Sequence, residues 1–139
     1  MKQTRAIDAN VILRFLLNDH STLSPRAQSI IHKAEQGEYV LLIDEVIVAE
    51  VVWVLTSFFK VPREVIVDKL MTLMVQPWVK NKRKSVVLAA LSLFKQHNID
   101  YIDAWLLCVS QSERISLETF DSDLQRLLSK MKEKGKTKN

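Results

Sequence analysis

Five acidic side chains are the residues of this sequence best placed to do chemistry. Asp8 stands in AIDANVILRFLL, where Ala6 and Ile7 read as the end of a strand and Ile12, Phe15 and Leu16 follow at helical spacing. Asp8 therefore sits at the carboxyl end of a strand, the edge at which open α/β sheets bind ligands. Asp8 or Asn10 could equally serve as a plain helix cap. Glu50 lies in VIVAEVVWVL with no lysine or arginine within a turn of it. On a helix it shares a face with Val46, Ile47, Trp53, Val54 and Ser57, an embedded setting in which a carboxylate needs compensation. A structural glutamate paired with a distant base is the alternative. Asp100 and Asp103 are three apart at a helix start and fall on one side, although the helix dipole alone favours acids there. Asp121 follows the strand-like segment RISL as Asp8 follows the first strand.

Right-handed crossovers in a parallel sheet collect successive strand-to-helix turns on one edge. Four acids gathered there, Asp8, Glu50, Asp103 and Asp121, would raise one another's pKa unless a cation held them ionised. Oxygen donors without thiols or clustered histidines suit magnesium or manganese, not zinc. His20, His32 and His97 are too scattered for a shared metal site. DSDLQR opens like an EF-hand loop, but Arg126 replaces the required glycine and Lys132 the closing glutamate. With only Gly37 and Gly135 in the chain there is no phosphate-binding glycine loop, and no GxSxG or Cys/His pair suggests a covalent nucleophile.

The elements that must position these acids alternate. After the first helix, Pro25 suits the first position of a second, with Ser24 as its cap and Gly37 ending it. Tyr39 to Ile43 reads as a buried parallel strand. Residues 44 to 59 are valine-rich, but their length, and Asp44 as a cap, favour a helix apolar nearly all round. Pro62 opens another helix with Val65, Ile66, Leu70, Leu73 and Met74 inward. QPWVKNKRKS breaks the pattern as a basic loop, Ser85 to Gln96 and Tyr101 to Ser112 are helical, Arg114 to Leu117 is a strand, and a last helix begins near Ser122.

The 139 residues suit one domain, residues 1–129, that buries about two-thirds of its unfolded surface. The formal charge of +4 resides in residues 130–139, a basic, disordered tail with five lysines and one glutamate, while the body nets zero. The pI therefore does not make the body a nucleic-acid binder. A single cysteine, Cys108, and no visible N-terminal signal fit a reducing, cytoplasmic setting. Residues 39–59 carry Asp44, Glu45 and Glu50, each costing roughly 3 kcal/mol near a bilayer centre, so they are a buried strand and helix rather than a membrane span.

AIDANVILRFLL, the Glu50 of VIVAEVVWVL, DYIDAWLL and TFDSDL occur in the order and approximate spacing of PIN-domain ribonucleases. Over about residues 4–128 the chain resembles this family most closely in its VapC-type toxins, from type II toxin–antitoxin pairs. The resemblance implies an α/β, PIN-like three-layer sandwich: a central parallel sheet of four to five strands with helices on both faces. By position, Asp8, Glu50, Asp103 and Asp121 match the family's catalytic, Mg²⁺- or Mn²⁺-binding quartet, and Asn10, Asp100, Thr119 and Asp123 match its supporting residues. The implied activity is endoribonuclease hydrolysis of RNA phosphodiesters. Asp8, Asp103 and Asp121 would be direct or water-mediated ligands, and Glu50 would hold a ligand water or a second ion. Arg14, Lys82, Arg83 and the tail are the candidate RNA-binding cations. The implied partners are a small antitoxin and a second copy in a homodimer.

Two other classes compete. A regulatory module of the same fold would bind RNA or protein without cutting, and loss of a quartet acid would mark it. A phosphotransfer receiver would need a lysine after a late strand, where this chain has Glu118 and Thr119.

Overall fold

The computed structural model of the chain describes residues 2–137. Its elements run β1 (Thr4–Ala6), α1 (Ala9–Leu17), α2 (Leu23–Glu35), β2 (Val40–Leu42), α3 (Glu45–Ser57), α4 (Arg63–Met74), β3 (Val79–Lys80), α5 (Lys84–Gln96), α6 (Tyr101–Glu113) and α7 (Ser122–Thr137). The three strands make one parallel sheet in the order β1-β2-β3, with Thr4 opposite Val40 and Leu41 opposite Val79. Each crossover between neighbouring strands passes through two helices, and all three strands present their carboxyl ends on one edge.

Four corrections to the sequence reading follow. The sheet has three strands among the described residues, not four to five. Arg114–Leu117 is not a strand because the end of α6 consumes the groups a ladder would need. Ile115 N–H donates to Ser110 O at 2.9 Å, and Ser110 Oγ donates to Ile115 O at 2.8 Å. The segment read as a basic loop contains β3, fastened by Lys84, whose Nζ donates to the carbonyls of Gln76 and Val79. Burial there lowers the Lys84 pKa from its ordinary value. Finally, the tail is helical through Thr137, since Lys, Met and Glu continue a helix readily; Lys138 and Asn139 lie outside the described residues.

Smaller departures have local causes. α2 begins two residues before Pro25, so Ser24 is inside the helix rather than its cap. Its buried Oγ donates to Arg14 O and accepts from His20 N–H, tying α2 to the end of α1. Gly37 makes the turn into β2 at φ +89°, a conformation that suits a residue without Cβ. Val65 faces outward rather than into the core.

The centre of the core combines Leu41 and Ile43 with Val48, Val51 and Leu55 of α3, Ile66 and Leu70 of α4, and Leu91 of α5. α3 is apolar nearly all round, but the core covers only part of its surface. Val48, Val51, Val52 and Leu55 turn inward, while Val46 and Trp53 remain 69% and 67% exposed. Glu50 is on that exposed face, so its carboxylate is not embedded; of its apolar neighbours Val46 and Trp53 are in solvent, while Ile47 and Val54 pack against the core. Among the described residues no helix is long and apolar enough to cross a membrane.

Candidate acidic site

The carboxyl edge of the sheet is acidic because β1 and β2 each end on an aspartate that caps the next helix. Asp8 Oδ1 accepts from Val11 N–H at 3.1 Å, and Asp44 Oδ1 accepts from Val46 N–H at 3.0 Å. Each cap fixes one oxygen and leaves the other to the exterior. The two aspartates line one open cavity of about 560 Å³ with Ile7, Val11 and Ile47. After β3 the register puts Lys82 at the equivalent position, and the Asn81 amide just before it donates to Ile43 O at 2.7 Å and holds the edge together. Sequence reasoning treated Asp44 only as a cap. The signal that could have promoted it was present: LIDEV repeats the apolar–acid–helix pattern of AIDAN.

A second acidic group surrounds the start of α6. Asp100 is its N-cap residue, and Asp103 lies half-buried in its first turn. Asp121 caps α7 through Leu124 N–H at 3.0 Å. Burial raises the Asp103 pKa above the ordinary carboxylate value, and the nearby charges of Asp100 and Asp121 raise it further. The structure thus brings Asp100, Asp103 and Asp121 into electrostatic reach. Glu50 projects from the neighbouring α3, and α3 and α6 pack together.

The expected supporting residues serve different ends. Thr119 shapes the turn before α7: its Oγ1 accepts from Asp121 N–H at 3.0 Å, and its carbonyl accepts from Gln125. Asp123 pairs with Arg126 along its own helix at 3.5 Å. Asn10 accepts from Arg14 at 3.4 Å, and Arg14 pairs with Asp19 at 3.0 Å. Arg83 also has acidic partners, Glu113 at 2.9 Å and Glu45 at 3.4 Å, and lies over the Trp105 ring. Lys82 is exposed.

Behind α6, buried atoms of Glu45 (Oε2), Tyr101 (the hydroxyl) and Trp105 (Nε1) have no hydrogen-bond partner. Burial, then the nearby Cys108 and Glu45, push the Tyr101 phenol above its ordinary value.

Arg63 is the positioning residue that sequence reasoning did not single out. From the start of α4 its Nη1 donates to the carbonyls of Phe94 (2.9 Å), His97 (3.2 Å) and Ile99 (2.6 Å), closing the turn from which Asp100 and Asp103 emerge.

The all-oxygen donor set fits a hard divalent cation in kind, and a cation would relieve the repulsion around Asp103. As they stand, no three His, Cys, Asp or Glu side chains among the described residues converge closely enough to hold one. The parallel sheet with double-helix crossovers and acids at its carboxyl edge has a counterpart among known families. A family model for the PIN domain matches residues 6–128, and the chain belongs to that family. PIN domains are generally nucleases, hydrolases that typically use divalent metal ions. No curated protein matches the chain.

Proposed function

We propose that this PIN domain is a Mg²⁺- or Mn²⁺-dependent endoribonuclease acting as the toxin of a type II toxin–antitoxin pair. The observation that carries the nuclease reading is Asp103, half-buried with Asp100 and Asp121 close enough to raise its pKa. The repulsion around Asp103 costs the folded state stability, and a bound cation would relieve it. Asp103, Asp121 and Asp8 would hold the ion, and Glu50 would hold a ligand water or a second ion. The caps on Asp8 and Asp121 fix one oxygen of each carboxylate, so the other is presented without loss of side-chain freedom on binding. When bound, the cation supplies charge neutralisation at the phosphodiester and an acidified water. The exposed Val46 on the face of α3 that carries Glu50 suits a small antitoxin or a second copy.

The test is incubation of purified protein with structured and single-stranded RNAs plus Mg²⁺ or Mn²⁺, with EDTA and Asp103→Asn controls. Metal-dependent cleavage lost in both controls is expected. Absence of both metal binding and cleavage in antitoxin-free protein refutes the nuclease. Growth arrest on expression, relieved by Asp103→Asn, tests the toxin role. A second reading, an RNA- or protein-binding module without cleavage, is favoured by the spread of the acids beyond ligand distance. RNA binding unaccompanied by cleavage would select it.

A further inference from the structure

Between α3 and α6 lies a cleft of about 420 Å³ whose walls include Trp53, Thr56, Ser57, Arg63, Asp100 and Asp103. Trp53 is 67% exposed although it is among the largest apolar side chains of the molecule. It follows Glu50 by three positions, so the two share a face of α3 and are separated by about 4.5 Å along the helix axis. A strand whose phosphodiester lay at Glu50 and Asp103 would bring its neighbouring base to the indole.

Charge favours such a platform. The acids repel phosphates and residues 1–129 net zero, so phosphate attraction on this face is weak and a contact to the base adds what the charge does not supply. Arg14 and Arg83 are already paired with carboxylates. Single-strand binders add to their phosphate contacts aromatic side chains on which bases stack, and each stacked base contributes about 1–3 kcal/mol. Resting on the ribonuclease reading above, we infer that this cleft is a nucleobase subsite: Trp53 stacks the unpaired base next to the scissile phosphate. Thr56 and Ser57 offer hydroxyls to that base's edge. Arg63 brings into the cleft a cation whose partners are neutral, the carbonyls of the α5–α6 turn and the Asn98 side chain, so its charge is not cancelled by a carboxylate. The continuity of the cleft with Asp100 and Asp103 is what favours a substrate base over a protein side chain as its occupant.

The experiment pairs Trp53→Ala with Trp53→Phe. Steady-state cleavage of a single-stranded RNA by each variant is measured, together with anisotropy of a labelled oligonucleotide on the same variants in the Asp103→Asn background. Stacking of one base predicts a KM and a Kd raised roughly 5- to 150-fold in Trp53→Ala, with kcat nearly unchanged. Trp53→Phe should recover most of the loss, which a purely structural role for the indole would not require. A single abasic nucleotide at one position of the oligonucleotide should remove the difference between wild type and Trp53→Ala. Unchanged KM and Kd in Trp53→Ala, with cleavage retained, overturn the subsite and leave the nuclease standing. Wild-type protein that neither binds nor cuts RNA overturns both. A Trp53→Ala protein that changes oligomeric state on sizing columns, with RNA affinity intact, assigns the face to a second copy and overturns the proposal.

Discussion

Replacement of Arg63 by alanine should loosen the turn that launches α6, and the structure permits the size of the effect to be worked out. One terminal nitrogen serves the carbonyls of Phe94, His97 and Ile99 at 2.6–3.2 Å, the other reaches Asn98 Oδ1 at 3.4 Å, and the guanidinium lies 4.1 Å from the centre of the Phe94 ring. Hydrogen bonds from a charged group contribute about 1.5–3 kcal/mol each. Nη1 has two protons for its three carbonyls, and water can reach the exposed His97 after truncation. Only the Phe94 and Ile99 bonds therefore count fully, and the half-exposed ring stacking adds about 0.5–1 kcal/mol. Solvent screening of a half-exposed arginine brings the expected loss to about 2–4 kcal/mol. For a domain of this size that is a melting point lower by about 7–14 °C. Arg63→Lys keeps the charge but not the planar fork and should recover no more than about half. Urea denaturation at pH 7 measures both, with Lys95→Ala as control: it removes the exposed 3.3 Å pair to Asp68 between α5 and α4, costing at most about 0.5 kcal/mol. An Arg63→Ala midpoint equal to that of the control, with unchanged denaturant slope, would falsify the assignment of the turn to this side chain.

Asp103→Asn should raise stability in divalent-free buffer. The folded pKa of Asp103 lies above its unfolded value, so the folded state disfavours the ionised form. That cost is absent below the unfolded pKa, grows as pH rises through the folded pKa, and is fully present at pH 7. The variant's urea midpoint should exceed wild type at pH 7 and converge with it near pH 3, and the gain in melting temperature on adding Mn²⁺ should disappear; a lower midpoint at pH 7 would contradict the electrostatic account. Ser24→Ala removes a buried hydroxyl with two partners, leaving Arg14 O and His20 N–H unpaired. A loss of about 1–3 kcal/mol in the same assay is expected, and a neutral result would mean that water replaces the hydroxyl.

The parts of the fold legible in the sequence are those decided within a few residues. Asp8 and Asp44 lie between an apolar run and a helix, and both cap as local chemistry requires. Pro62 precedes α4 as proline's fixed φ favours. What escaped depends on distant contacts. β3 is two residues long, with no periodicity to detect, and is held by β2 and Lys84. RISL has the composition of a strand but loses its backbone groups to Ser110. A helical wheel correctly grouped Glu50 with Val46 and Trp53, yet it cannot say which side of an all-apolar helix the core will cover. Arg63 could not be found at all, because its partners lie more than 30 positions away in the chain.

Asp121 belongs to the part of the molecule that is least firmly seated. Among the described residues Leu124 is the one buried side chain of α7, and a cavity of about 630 Å³ separates Leu128 and Met131 from the end of α6 at Ser110 and Gln111. Opening that segment costs less than unfolding the domain, because so little apolar surface is released. On the proposed metal-dependent reading, the carboxylates that would share an ion are thus divided between the well-packed scaffold and the lightly seated α7. An ion shared by Asp103 and Asp121 would bind only the closed population, so its measured affinity includes the work of closure. Linkage makes the dependence mutual, with the ion slowing amide exchange across the first turns of α7 while leaving α3 unaffected. It also means that filling the cavity beneath α7 would tighten ion binding without a change to any ligand, separating the strength of this site from the identity of its donors.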